Sequence, residues 1–221
     1  ASPMKPNGDI DLDTTKNLAQ KLVQSGTESI VSTGTTGESP TLSSVEQIEI
    51  WKATKNAVGK SIPVIAGATN NNTAESINLC QEAERADLDG LLLTVPAYNK
   101  PTQQGLIAHF TAIAKATSLP CLLYNVPSRT ALNMDATTTL ELAKIPNIIG
   151  IKEASGDLSQ IKTIIDNAPN DFDVWSGNDS DTLPIMQIGG VGIVSVASHL
   201  VGTQISEMID FQTNGHLSEA T

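Results

Sequence analysis

The 221-residue sequence is short of several things, and each shortage removes a class of function. Only Cys80 and Cys121 are present, far apart and with no further cysteine or histidine at metal-ligand spacing. Both read as small apolar packing residues in a reducing compartment, not as a disulfide framework or zinc site. Basic charge is scarce. With 13 Lys+Arg against 24 Asp+Glu, the net charge is −11, and no basic cluster offsets the repulsion of nucleic-acid phosphates or anionic membranes. No nucleic-acid partner and no membrane partner is expected. No apolar run approaches the ~20 residues needed to span a bilayer, and the N-terminus lacks a signal-peptide pattern, so the expectation is a soluble cytoplasmic protein. GxGxxG and P-loop patterns are missing after the first strand, as are HExxH and GxSxG. His109, His199 and His216 are scattered, which leaves no support for a metal; His109, at helical spacing with Leu106 and Phe110, reads as a helix-surface histidine.

What is present is a regular alternation of short apolar runs and amphipathic stretches. Helical spacing of Leu18, Leu22 and Val23 predicts a helix over 13–25, capped by Asp13 and closed near Gly26. A strand follows at 28–32. Ser43 with Glu46 forms a capping-box pattern that opens a helix to Val58, with Gly59 at its end. Strands are then predicted at 62–66, 90–95, 120–124, 148–152, 172–175 and 192–196, separated by helices at 73–86, 101–117, 135–143, 157–167 and 182–188, with a last helix at 201–214. The seven strand centres lie near Ile30, Val64, Leu92, Leu122, Ile149, Val174 and Ile193. Strict alternation argues for a parallel sheet with right-handed crossovers, and the best fit is an α/β fold of the TIM (β/α)8 barrel type, one domain over 1–221. The chain opens on a loop-like Ala1-Ser2-Pro3-Met4 that leads straight into a helix, and its end reads as a turn followed by the start of another helix. The expectation is therefore an incomplete barrel lacking its first strand and its C-terminal helical region, less stable for its exposed strand edges.

In such a barrel the active site lies at the C-terminal strand ends. The fifth run, Ile148 to Ile151, ends in Lys152. By alternation Gly150 and Lys152 point one way and Ile149 and Ile151 the other, with Gly150 leaving room beside the amine. A lysine at an apolar mouth loses solvation of its charged form, so its pKa falls and a neutral, nucleophilic amine exists near neutrality. The preceding strand ends in Tyr124-Asn125-Val126-Pro127-Ser128-Arg129-Thr130. Its tyrosine, one of only two in the chain, could shuttle protons for the amine, and its arginine has the fork that matches a carboxylate. After the first run comes Gly34-Thr35-Thr36-Gly37-Glu38-Ser39, whose backbone N–H groups and hydroxyls can hold a small carboxylate. Tyr98 lies just past the third strand. Gly177-Asn178-Asp179 and Val194 could supply backbone groups around a small ligand. Each of these also has an ordinary reading: a solvated strand-end lysine, a polar turn, a rim tyrosine, a surface ion pair.

Taken together, Gly34 to Ser39, Tyr124 to Thr130 and Gly150-Ile151-Lys152-Glu153-Ala154-Ser155-Gly156-Asp157 resemble the dihydrodipicolinate synthase family. The resemblance covers essentially the whole chain and implies a lyase of lysine and diaminopimelate biosynthesis. In it Lys152 forms a Schiff base with pyruvate and the enamine attacks L-aspartate 4-semialdehyde, without any other cofactor. It implies that Thr36, Tyr124 and Tyr98 form a proton relay, with Tyr98 entering a partner subunit's site in a homodimer or homotetramer. It further implies that Thr35 holds the pyruvate carboxylate, that Arg129 holds that of the semialdehyde, and that Gly177 and Val194 line the pocket. Asn71 and Glu75 match a lysine-feedback site, whereas Ser44, Gln47 and Ala97 replace the His, His and Tyr of many lysine-sensitive members, so feedback is not expected. Two alternatives remain: a related pyruvate-dependent aldolase, such as N-acetylneuraminate lyase or a keto-deoxy sugar acid aldolase, and a non-catalytic keto-acid-binding barrel or inert fragment.

Overall fold

The computed structural model describes residues 1–220. Helix α1 (Leu12–Gln24) is capped by Asp11, whose side chain accepts from Thr14 N–H; Asp13, expected as the cap, instead lies in the first turn and pairs with Lys16. Strand β1 (Ile30–Ser32) follows, then two short 3-10 turns over Thr35–Gly37 and Ser39–Thr41, and α2 (Ser44–Val58), which carries the expected capping box between Ser43 and Glu46. Gly59 ends α2 with φ +61°, in the left-handed range that favours glycine. The chain continues through β2 (Val64–Gly67), α3 (Thr73–Arg85), β3 (Gly90–Thr94), α4 (Gln103–Ala114) and β4 (Cys121–Asn125). A short helix, α5 (Pro127–Thr130), was not expected from sequence because it is a single turn begun by proline. Then come α6 (Ala136–Leu142), β5 (Ile148–Glu153), α7 (Leu158–Asn167), β6 (Asp173–Ser176), α8 (Thr182–Gln187), β7 (Gly192–Ile193) and α9 (Ser198–Thr213).

All strand pairs are parallel and the sheet order is β1 through β7 in chain order, the strand sequence of a (β/α) barrel. Among the described residues β1 and β7 do not pair with each other, so the curled sheet is open there. An open cleft of about 230 Å³ lies between their edges, flanked by α1 and α9 and lined by Val31, Trp175, Ile193 and Val194 among others. No described helix is long and apolar enough to cross a membrane.

Two layers of apolar side chains follow from strand alternation. Leu91, Leu93, Leu123 and Ile151 are fully buried in the main core, together with Trp51, Phe110, Ile113 and Ile161 from helices. The opposite, inner face carries a smaller cluster of Leu92, Leu122, Tyr124, Val126 and Ala154, with Trp175 and Val194 packed against it. Cys80 and Cys121 are buried free thiols whose pKa burial pushes up to about 12, making them inert packing groups.

Two local expectations are corrected. Ile149 does not share the core with Ile151: the pairing jumps from Cys121–Ile148 to Leu122–Gly150, so Ile149 bulges and stands 39% exposed. His109 is not on the helix surface. It is buried, edge-on to Phe110, with Nδ1 2.9 Å from Thr73 Oγ1, because α4 is covered there by the start of α3.

Candidate active site at the C-terminal strand ends

The register of the sheet sets Thr94, Tyr124, Lys152 and Trp175 side by side on successive strands, one step beyond Leu92, Leu122, Gly150 and Asp173. Residues two apart on a strand share a face, so this row caps the inner apolar cluster. Lys152 is 8% exposed and its Nζ lies 4.2 Å from the centroid of the Tyr124 ring. Loss of solvation lowers the lysine pKa from 10.5 to about 8; the Asp179 carboxylate pushes it back up and the Arg129 guanidinium pushes it further down. At pH 7.5 about a quarter of such amines are neutral, against about one in a thousand for an ordinary lysine. Tyr124 is also buried, and its phenol pKa is raised by burial and drawn down by Arg129. The phenol therefore keeps its proton at neutral pH, available to donate.

Asp179 is held in place by its neighbours. It accepts hydrogen bonds from Ser195 Oγ and from the backbone N–H of Val196 (3.3 Å) and Ala197 (3.2 Å), tying the turn after β6 to the turn after β7. The sequence had pointed only to backbone groups around Asn178 and Asp179. The side-chain charge is the more consequential feature, because it raises the basicity of the buried amine.

The glycine that makes room for the amine is not Gly150. A methyl at Gly150 would strike the Asp173 carbonyl at 2.4 Å and the Trp175 ring at 2.6 Å, so that glycine serves strand packing. A methyl at Gly177 would lie 3.2 Å from Lys152 Cε and 2.7 Å from Ala154 Cβ. Gly177 donates its N–H to Glu153 O at 2.7 Å, which places its backbone at the strand end beside the lysine, and Val194 donates its own to Ser176 O at 2.9 Å, one strand further on.

The loop after β1 begins under strain. Thr33, a β-branched residue, has φ +54°, an outlier for that side-chain type. It is held there by Trp51 Nε1, which donates to Thr33 Oγ1 at 2.6 Å inside the core, and by Gly67, where a methyl would collide with Thr33 O at 2.4 Å. This clamp delivers Gly34, Thr35 and Thr36 to the strand ends, with Thr36 exposed and Thr35 half-buried. Neither Trp51 nor Thr33 stood out in the sequence; a tryptophan in the helix that follows a strand-end motif is the signal that was available.

Arg129 is exposed on α5 yet close enough to act electrostatically on both Tyr124 and Lys152. Tyr98 is not brought onto the lysine. Its side chain is 91% exposed and its backbone has φ +72°, with its N–H donating to Thr130 O at 3.3 Å. Asn71 and Glu75 are exposed at the start of α3; Asn71 Oδ1 accepts from Ala97 N–H at 2.9 Å and Glu75 Oε2 from Asn70 Nδ2 at 2.7 Å. They are separate from the Lys152 row.

The model of the dihydrodipicolinate synthetase family matches residues 1–221. Among relatives, a 4-hydroxy-tetrahydrodipicolinate synthase of Moorella thermoacetica is 52% identical over 219 residues, covering 99% of this chain and 75% of its own. The fold is similar to that of the lysine-bound enzyme from Cyanidioschyzon merolae, at 44% identity and a TM-score of 0.98 over 100% of this chain and 76% of that one. It is also similar to the pyruvate complex of a dihydrodipicolinate synthase from Acinetobacter baumannii, at 39% identity and a TM-score of 0.96, with the same coverage.

Proposed function

The chain belongs to the dihydrodipicolinate synthetase family, and from that premise we propose that it is a Schiff-base lyase of the 4-hydroxy-tetrahydrodipicolinate synthase type, condensing pyruvate with L-aspartate 4-semialdehyde through Lys152. The observation that carries this reading is the buried amine with its pKa lowered to about 8, stacked over Tyr124 on the adjacent strand end. The neutral amine adds to the ketone carbon of pyruvate and loses water to give an iminium. Loss of a C3 proton gives the enamine, whose carbon forms a new bond to the aldehyde carbon of the semialdehyde. The semialdehyde's own amine then displaces Lys152, closing the ring and freeing the enzyme. Tyr124 and Thr36 move the protons that these steps require.

In this scheme Thr35 and the neighbouring backbone hold the pyruvate carboxylate, Arg129 holds the carboxylate of the semialdehyde, and Gly177 and Val194 shape the pocket. Tyr98 completes the relay of a neighbouring subunit in a dimer or tetramer, a reading supported by its outward-facing ring. Asn71 and Glu75 form a candidate lysine site, but Gln47 is buried and donates to Ser39 O and Leu42 O, leaving it poorly disposed toward a ligand. Turnover unchanged by added lysine is expected.

A related sugar-acid aldolase would use the same lysine and tyrosine. Arg129 and the Thr35-Thr36 pair favour the synthase. The deciding experiment combines borohydride reduction in the presence of pyruvate, read by peptide mass at Lys152, with an aldehyde panel. Reduced pyruvate on Lys152 and condensation with the semialdehyde support the reading; cleavage of a sugar acid without that condensation rejects it.

A further inference from the structure

Directly behind the reactive pair lies a buried polar network that the chemistry above does not use. Asn125 and Glu153 follow Tyr124 and Lys152 on β4 and β5, so their side chains face the opposite side of the sheet, toward the helices. Both are fully buried. Asn125 Nδ2 donates to Glu153 Oε1 at 3.0 Å and to Asn133 Oδ1 at 2.8 Å, while Asn125 Oδ1 accepts from Met134 N–H at 3.0 Å, which fixes the direction of its amide. Gln160 on α7 accepts from Asn133 Nδ2 at 2.8 Å, so its own Nε2 is the group that faces Glu153 Oε2, at 3.3 Å. Ser155 N–H donates to Glu153 Oε1 at 2.9 Å. Every hydrogen bond to the Glu153 carboxyl therefore comes from a donor; the charged form is the acceptor on which three amides converge, and none of the described ion pairs includes it. Burial raises its pKa, opposed by those same donors.

The network reaches further. Gln103 at the start of α4 donates to Asn133 O at 2.8 Å and accepts from Asp135 N–H and Thr138 Oγ1. On the main chain, Glu153 O accepts from Gly177 N–H at 2.7 Å, and Asn125 O accepts from Ala154 N–H at 2.9 Å. Through its side chain and its main-chain carbonyl, Glu153 thus ties β5 to Asn125 on β4, to Gln160 on α7 and to the glycine that packs against Lys152, and Asn125 carries the network on to the segment after α5.

We infer that Glu153, with Asn125 and Gln160, is a positioning residue for the imine chemistry, locking the strand ends so that the Tyr124 ring and the Lys152 amine keep their mutual placement. This rests on the Schiff-base reading above. Because residues 124 and 152 stand on the reverse of the same backbone, any shift of their neighbours moves them as well, and misplacement by about 1 Å can cost on the order of a hundredfold in rate. A buried half-satisfied network is worse than none, so the carboxylate cannot be exchanged quietly.

The test uses Glu153→Gln and Gln160→Met. Sites are counted by the end-point of borohydride trapping with pyruvate, and kcat per trappable site is measured below the onset of unfolding. Glu153→Gln should lower kcat and the initial trapping rate about 10- to 100-fold with KM for pyruvate within about threefold. Values of kcat and trapping rate within about twofold of the parent, with only the melting temperature lowered, would overturn the inference and leave Glu153 a purely structural group. If Glu153→Gln does not fold, Gln160→Met decides: a three- to tenfold loss per site supports the inference and no loss overturns it. Absence of any adduct in the parent would instead reject the Schiff-base reading, which keeps the two failures distinct.

Discussion

The middle of the sheet and its margins are built differently. Strands β3, β4 and β5 run five or six residues and are almost wholly buried, whereas β1 has three residues, β7 has two, and an open cleft separates them. Tyr124 and Lys152 stand on the middle strands, backed by the Asn125–Glu153–Gln160 network. The margins carry Thr35, Thr36 and Val194, groups that hold a ligand in the proposed scheme. Bond-forming atoms need placement to a fraction of an ångström, while ligand-gripping loops come from the less stable parts of a fold. The open margin is therefore compatible with function only as long as the middle stays closed.

The sharpest way to break this comparison is at the amine. Lys152→Met should abolish trapping and reduce condensation by at least about 10⁴-fold, since no other amine replaces the nucleophile. The same change should stabilise the protein. Lys152 has a folded pKa of about 8 against 10.5, so the unfolded chain binds more protons between those values, and the burden of holding the amine in the core is full below pH 8 and fades as pH rises toward 10.5. That burden is of order 3 kcal/mol. The melting-temperature gain of Lys152→Met over the parent should shrink across that window, and a gain independent of pH would contradict the cause assigned to the shift.

Tyr124→Phe keeps the ring under the amine and removes only the hydroxyl. A fall in kcat of about 10²- to 10³-fold, with little change in unfolding, is the expected outcome of steady-state assays and denaturant titration. Core truncations then probe the two regions directly. Leu123→Ala in the middle should cost about 3 kcal/mol, and Ile193→Ala beside the cleft about 1 kcal/mol, because Ile193 is only half-buried. Equal costs in urea unfolding would erase the distinction. The smallest effect is expected at the margin's clamp: Trp51→Phe, which withdraws the donor from Thr33 Oγ1, should raise KM for pyruvate about three- to tenfold and leave the trapping end-point intact.

Much of this was legible before the structure. Alternation placed all seven strand centres, and the capping box between Ser43 and Glu46 formed as read, because both depend on spacing within one element. Lys152 announced itself as a charge ending an apolar run. What stayed hidden depends on neighbours distant in sequence. The bulge at Ile149 arises from register with β4, the burial of His109 from the start of α3, and the strain at Thr33 from Trp51 and Gly67. Glu153 read as part of a motif, yet its lack of exposure and its three converging amides come from β4, α7 and its own turn. Gly150 was assigned the space that Gly177 provides because a single strand cannot show what the next one brings alongside.

Burial turns Lys152 into a nucleophile near neutral pH. The most direct measurement is the initial rate of borohydride trapping with pyruvate from pH 6 to pH 10.5, per site, with adduct position confirmed by peptide mass. The rate should rise with pH and level off with a midpoint near 8. A rate still climbing at pH 10, or an adduct on another lysine, would contradict it.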